Sequence, residues 1–183
     1  MNETDSLSAK DDVVFALLGR AATNLSYLEF TVSELLQSLL APNEPIVSAI
    51  VAEEMTLAKR IQNIKKLAAF RFILDEKIRN QLLDLASRLD KLRSKRNLFV
   101  HGQWRLMPTP TGGVTITCVD YRWDIDAKIG RSWSRFREQN WSEEELKDFI
   151  QHVRDITQET LDQTSHVRRK MKEMSNKGIE SDE

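Results

Sequence analysis

Apolar side chains recur at alternating spacings of four and three through Val14, Leu18, Ala21, Leu25, Leu28, Val32, Leu35 and Leu39. On a helix of 3.6 residues per turn this spacing holds them on one narrow seam. The stretch 11–40 is therefore constrained to a long helix packed lengthwise against others. No proline interrupts it before Pro42, whose missing amide hydrogen ends the ladder. A second seam of the same kind follows Asp75, a residue type suited to capping a helix start: Ile78, Leu82, Leu85, Leu89, Leu92 and then Phe99.

Shorter segments fill in the frame. A short helix is expected over 45–54, with Pro45 in its first turn. Thr56 is placed to cap the next helix, whose inner side carries Leu57, Ile61, Ile64, Leu67 and Ala68 and which ends near Ile73. Ser142-Glu143-Glu144-Glu145 has the form of a capping box. It opens a last helix bearing Leu146, Phe149, Ile150, Val153, Ile156, Val167 and Met171. Thr157, Thr160 and Thr164 dilute that stripe, so the second half of this helix reads as exposed or as an oligomer contact.

Beyond Gly102, the expected helix-stop residue, the period changes to two. Trp104 and Leu106 alternate with Arg105, and Val114, Ile116 and Cys118 alternate with Thr115 and Thr117, around a Pro- and Gly-rich loop. This predicts a β-hairpin over about 103–121. The segment 124–140 mixes Trp133 and Phe136 with Lys128, Arg131, Arg135 and Arg137. Such a mixture is either a loop packing its tryptophans down or a clamp for single-stranded RNA. The expected architecture is all-α: an antiparallel helical bundle over 11–174 with a β-hairpin inserted after the second long seam. It is flanked by a flexible N-terminus (1–10) and a disordered tail (175–183).

Composition narrows the function classes. In 183 residues, 30% charged, the net charge is −1, so no overall field draws in nucleic acid and any phosphate attraction must be local. Cys118 stands alone, which excludes an internal disulfide and fits a reducing cytoplasm. No apolar run approaches a membrane span, and the polar, acidic N-terminus is unlike a signal peptide; a cytoplasmic protein with no membrane association is expected. There is no G-x-G-x-x-G, Walker loop, H-E-x-x-H or Cys/His cluster with metal spacing, so neither cofactor nor metal is expected.

One position breaks the second seam. Between Leu92 and Phe99 the four-three spacing calls for an apolar residue and finds Arg96, whose stem must lie along packed surface. Rule-breaking positions of this kind are where function tends to sit. It opens Arg96-Asn97-Leu98-Phe99-Val100-His101-Gly102, with Arg88, Lys91, Arg93 and Lys95 upstream and Arg105 just beyond. Asn97 and His101, four apart, share a face of the helix that also holds Arg93 and Val100 and points away from the seam. The plainer reading is a basic last turn compensating the helix dipole. In it His101 caps the last carbonyls, and Arg96 forms a buried ion pair with Glu29 or Glu34 of the first helix.

Arg96-Asn97…His101 resembles the R-x4-6-H motif of the HEPN domain family, in the "RN…H" form associated there with RNA cleavage. The resemblance spans mainly 75–102. It implies a helical homodimer that brings two copies of the motif into one cleft and cleaves RNA without a metal, as toxin or phage-defence endoribonucleases do. Arg96 would clamp phosphate, Asn97 would position, and His101 would act as general base or acid. Arg88, Lys91, Arg93, Lys95 and Arg105 are the candidate RNA contacts, and a neutralising partner protein is a further implied partner. In one toxin branch the motif continues H-x-Y; here His101 is followed by Gly102-Gln103, which argues against that branch. The family also contains non-catalytic dimeric interaction and RNA-binding modules, the alternative expectation.

Overall fold

Both long seams become helices that bury them. The computed structural model describes residues 3–108, 114–126 and 131–179. In chain order it forms α1 (Glu3–Leu40), α2 (Pro45–Glu53), α3 (Leu57–Arg71), α4 (Glu76–His101), β1 (Gln103–Pro108), β2 (Val114–Asp126), β3 (Arg131–Trp141) and α5 (Glu143–Ile179). The chain is mostly helical with a small three-stranded antiparallel sheet, ordered β1-β2-β3. Among the described residues no helix is long and apolar enough to cross a membrane.

The helix starts follow local chemistry. Lys59 N donates to Thr56 Oγ1 at 3.4 Å and Ile78 N to Asp75 Oδ1 at 3.2 Å, each satisfying an otherwise orphaned amide of a first turn. At α5 the capping box closes in both directions: Glu145 N donates to Ser142 Oγ at 3.1 Å, and Ser142 N to Glu145 Oε2 at 2.7 Å. α1 starts at Glu3, within the stretch expected to be flexible, since no proline or glycine precedes Gly19 to stop it. α5 runs to Ile179, past the expected start of the tail at 175; residues 180–183 lie outside the described ones.

The chain divides into two compact units, the first Met1–Asn24 with Ser94–His152 and the second Leu25–Arg93 with Val153–Glu183. The first unit holds the sheet, and its buried residues include Val14, Leu17, Phe99, Ile116, Trp141, Leu146 and Phe149. Leu17, rather than the expected Leu18, is the buried residue in this turn. A straight helix turns 3.6 residues per turn, so a 3.5-residue stripe drifts along it. Phe99, Trp104, Trp141 and Phe149 form an aromatic cluster. Ring centroids lie 4.6 Å apart for Phe99–Trp104, 5.6 Å for Phe99–Phe149 and 5.5 Å for Trp141–Phe149, distances at which edge and offset contacts add to burial.

The expected hairpin is present, with Trp104 opposite Cys118 and Leu106 opposite Ile116, but it is two-thirds of a larger sheet. β3 pairs with β2 from Ile116↔Trp141 to Asp126↔Arg131. This corrects the reading of 124–140 as an irregular segment. β3 carries no clean apolar alternation, and it is held by the hydrogen-bond ladder of β2 rather than by a pattern of its own. Lys128, and the side chains of Trp133, Phe136, Arg131, Arg135 and Arg137, lie outside the described residues.

In the second unit Leu25, Leu35, Leu36 and Leu39 of α1, Ile61 and Ile64 of α3, and Ile78, Leu82 and Leu85 of α4 are buried. Thr157, Thr160 and Thr164 of α5 are 5%, 0% and 3% exposed, which corrects the expectation that this half of α5 is open. Each hydroxyl donates to the carbonyl four residues back, on Val153, Ile156 and Thr160, at 2.7 Å. With its polar atom satisfied inside its own helix, a threonine packs as a small apolar residue.

Candidate active site

The motif occupies the last turn and a half of α4, in the first unit. A helix end leaves its final carbonyls without amide partners, and here three groups supply donors. Gly102 N donates to Leu98 O at 2.8 Å, Cys118 Sγ donates to the same carbonyl at 3.3 Å, and Trp104 Nε1 donates to Phe99 O at 3.0 Å. Trp104 and Cys118 are opposite each other in the β1–β2 register, so the sheet delivers both donors to the helix end. The caps of Leu98 and Phe99 are thus not supplied by His101, whose side chain is exposed.

Gly102 joins helix to sheet through closeness of approach. A Cβ there would stand 2.3 Å from Cys118 Sγ and 2.5 Å from Leu98 O, so nothing larger than hydrogen fits. Its φ lies outside the left-handed region, so glycine is needed here for this tight contact and not for a left-handed turn. Cys118 is fully buried. Burial pushes its thiol up to about 11, and the nearby Asp120 carboxylate adds to the rise. It is a neutral structural thiol and not a nucleophile.

Arg96 and Asn97 are half-buried. Arg96 Nη1 donates to Asn97 Oδ1 at 3.1 Å, so the amide oxygen of Asn97 steadies the guanidinium rather than the imidazole. Asn97 and His101 lie one turn apart on the same face, where such side chains are neighbours. Lys95 and Arg105 are exposed in the same unit, and Val100, beside His101, is 46% exposed. This tip therefore carries an exposed imidazole, a half-buried guanidinium bonded to the Asn97 amide, two more exposed cations and one exposed apolar side chain.

The remaining candidate cations belong to the second unit. Arg88 grips Glu159 in a two-pronged ion pair, Nη1 to Oε2 at 2.7 Å and Nη2 to Oε1, while its Nε meets Asp84 Oδ2 at 2.8 Å. The hydrogen bonds to Glu159 hold the Arg88 guanidinium above its ordinary pKa. A fork committed on both prongs is a structural tie between α4 and α5 and has little left for phosphate. Arg93 Nε donates to Asp90 Oδ1 at 2.9 Å, and Lys91 is exposed. Glu34 is paired with Arg168, while Glu29, like Arg96, has a partner of its own.

The two capping side chains were not foreseen, because a tryptophan and a cysteine carry no cap signature; only the strand register brings them to the helix end. Among the described residues no group of three or more His, Cys, Asp or Glu gathers as a metal site. Comparison with protein-family models, with curated proteins and with solved structures finds no match.

Proposed function

We propose that this chain is a HEPN-like, metal-independent endoribonuclease that acts as a homodimer. The observation that carries the reading is the exposed His101 imidazole on a helix end already capped by other donors, one turn from an Arg96 steadied by Asn97. RNA brings its own nucleophile. His101 takes the proton from a 2′-hydroxyl, whose oxygen attacks the adjacent phosphorus as the bond to the 5′-oxygen breaks. The departing 5′-oxygen receives a proton from the partner copy's imidazole or from water. The products are a 2′,3′-cyclic phosphate and a 5′-hydroxyl end.

Imidazole suits both proton transfers because it titrates near neutrality. Arg96 stabilises the extra negative charge of the phosphorane, since a guanidinium keeps its proton and grips two oxygens. Lys95 and Arg105 carry the flanking phosphates. Two copies of α4 meeting across Val100 bring both histidines to one phosphodiester, and a bundle of this kind suits a toxin-like or defence role.

The test is incubation of purified protein with mixed RNA in the presence of EDTA, beside His101→Ala and Arg96→Ala. The expected result is cleavage leaving 2′,3′-cyclic phosphate ends, lost in both variants. Equal cleavage by wild type and His101→Ala, or none by either, sinks the proposal. A second reading, a non-catalytic dimeric interaction or RNA-binding module, draws on the exposed Val100, an apolar contact that catalysis does not need. Toxicity on expression that His101→Ala relieves favours the nuclease; RNA binding and self-association without cleavage favour the module.

A further inference from the structure

A cavity of about 370 Å³ opens in the second unit where α1 ends and α2 begins. Gln37 and Ser38 of α1, Asn43 of the connector, and Arg168 and Lys172 of α5 line it, and among the described residues no carboxylate does. Arg168 and Lys172 are four residues apart, so their head groups lie one above the other on one helix face. The guanidinium is held in place from behind: Arg168 Nε donates to Ser38 Oγ at 3.0 Å and Nη2 to Glu34 Oε2 at 2.5 Å. Those two bonds fix the plane of the fork. Glu34 offsets one positive charge, and Lys172 restores a net positive wall.

We propose that this cavity binds a phosphate monoester, carried either by a free nucleotide or by the end of an RNA chain. Two cations and two side-chain amides lining one cavity supply more donors than a carboxylate can use, and suit a tetrahedral dianion. The volume lies at the lower end of small-molecule sites, which run from about 300 to 1,000 Å³, and so suits one nucleotide unit. The neutral linings, Gln37 and Asn43, offer both donors and acceptors for the ribose or base. This site does not depend on the nuclease reading; its residues and those of the α4 tip belong to different units.

Calorimetric titration of the full chain at fixed ionic strength tests it, with AMP against adenosine. A 5′-phosphorylated against a 5′-hydroxyl tetranucleotide follows, in the His101→Ala background so that no probe is cut. The expected result is affinity that requires the phosphate and falls about ten- to hundredfold in Lys172→Gln, the loss of one charge-assisted contact. Lys172 is exposed, so its removal leaves the melting temperature in place, and Arg168→Gln provides an independent second loss. Whichever phosphorylated probe shows the dependence names the source. No saturable binding of either at millimolar concentration, equal affinity with and without phosphate, or wild-type binding by Lys172→Gln overturns the proposal.

Discussion

The end of α4 and the cavity beside the end of α1 handle charge in opposite ways. At the α4 tip the groups are presented outward: His101 and Lys95 are exposed, and the neutral oxygen of Asn97 steadies Arg96. At the cavity Arg168 and Lys172 line a half-open space, and a carboxylate and a hydroxyl orient Arg168 from behind. The tip presents an exposed imidazole on an open helix end, so the proposed chemistry there needs a second surface, whether substrate or partner copy. The half-open cavity is lined by Arg168 and Lys172 and, among the described residues, by no histidine, so the proposal there is recognition. The proposed catalysis and the proposed recognition thus lie in different units, and the two can be separated by measuring every variant in both assays.

The largest expected separation is His101→Ala. Loss of general acid–base catalysis is worth about 10²–10⁴-fold, so RNA cleavage should fall by at least that lower bound while AMP affinity stays unchanged. A parallel loss of nucleotide binding would show that the two regions are not independent, and rate assays beside calorimetry read both. Next comes the thiol behind the tip. With Cys118 at about 11 in place of 9.0, its thiolate fraction at pH 8 is roughly 100-fold below that of a free cysteine. Iodoacetamide should therefore modify native protein at least that much more slowly than unfolded protein. The folded state holds this proton more tightly than the unfolded one. The stability it contributes is complete below pH 9 and is lost as pH rises through about 11, and urea melts across that window should show the decline.

Gly102→Ala is third. The added methyl would overlap Cys118 Sγ and the Leu98 carbonyl, and relieving such overpacking costs about 1–3 kcal/mol. The melting temperature should fall, and cleavage should fall further than stability alone predicts, because the last turn carrying His101 must shift. Unchanged cleavage in a destabilised Gly102→Ala would mean that the geometry of this turn is not what activity depends on. Binding in the cavity should follow stability only.

How much of this was legible in the sequence depends on how local each cause is. Seam residues from Ile78 to Phe99 are buried as their spacing requires, and Thr56, Asp75 and Ser142 cap the helices they precede, because periodicity and capping act within one or two turns. The third strand was not legible, since β3 is ordered by its partner and not by its own alternation. The buried threonines of α5 misled for a related reason: composition marks them polar, while a bond to the preceding turn removes that polarity. At the tip, spacing alone places Asn97 and His101 on one face, but the contact of Asn97 with Arg96 depends on rotamers. The cavity was wholly hidden, because Glu34 and Ser38 meet Arg168 only after α1 and α5 have packed.

The smallest expected effect isolates that non-local contribution. Trp104→Phe keeps most of the aromatic volume against Phe99, whose ring lies 4.6 Å away, and removes only the donor that reaches Phe99 O. One neutral hydrogen bond is worth about 1 kcal/mol, so a small drop in melting temperature is expected. The informative readout is hydrogen exchange. The freed carbonyl lies only two residues before His101, so fraying should appear at the end of α4, with faster amide exchange at Val100, His101 and Gly102 and none added around Arg168. If exchange at those three amides is unchanged, the cap from Trp104 is dispensable and the register of β1 with β2 does not set the stiffness of the tip. If it rises and cleavage falls with it, the rigidity that positions His101 comes from the sheet rather than from the helix that bears the motif.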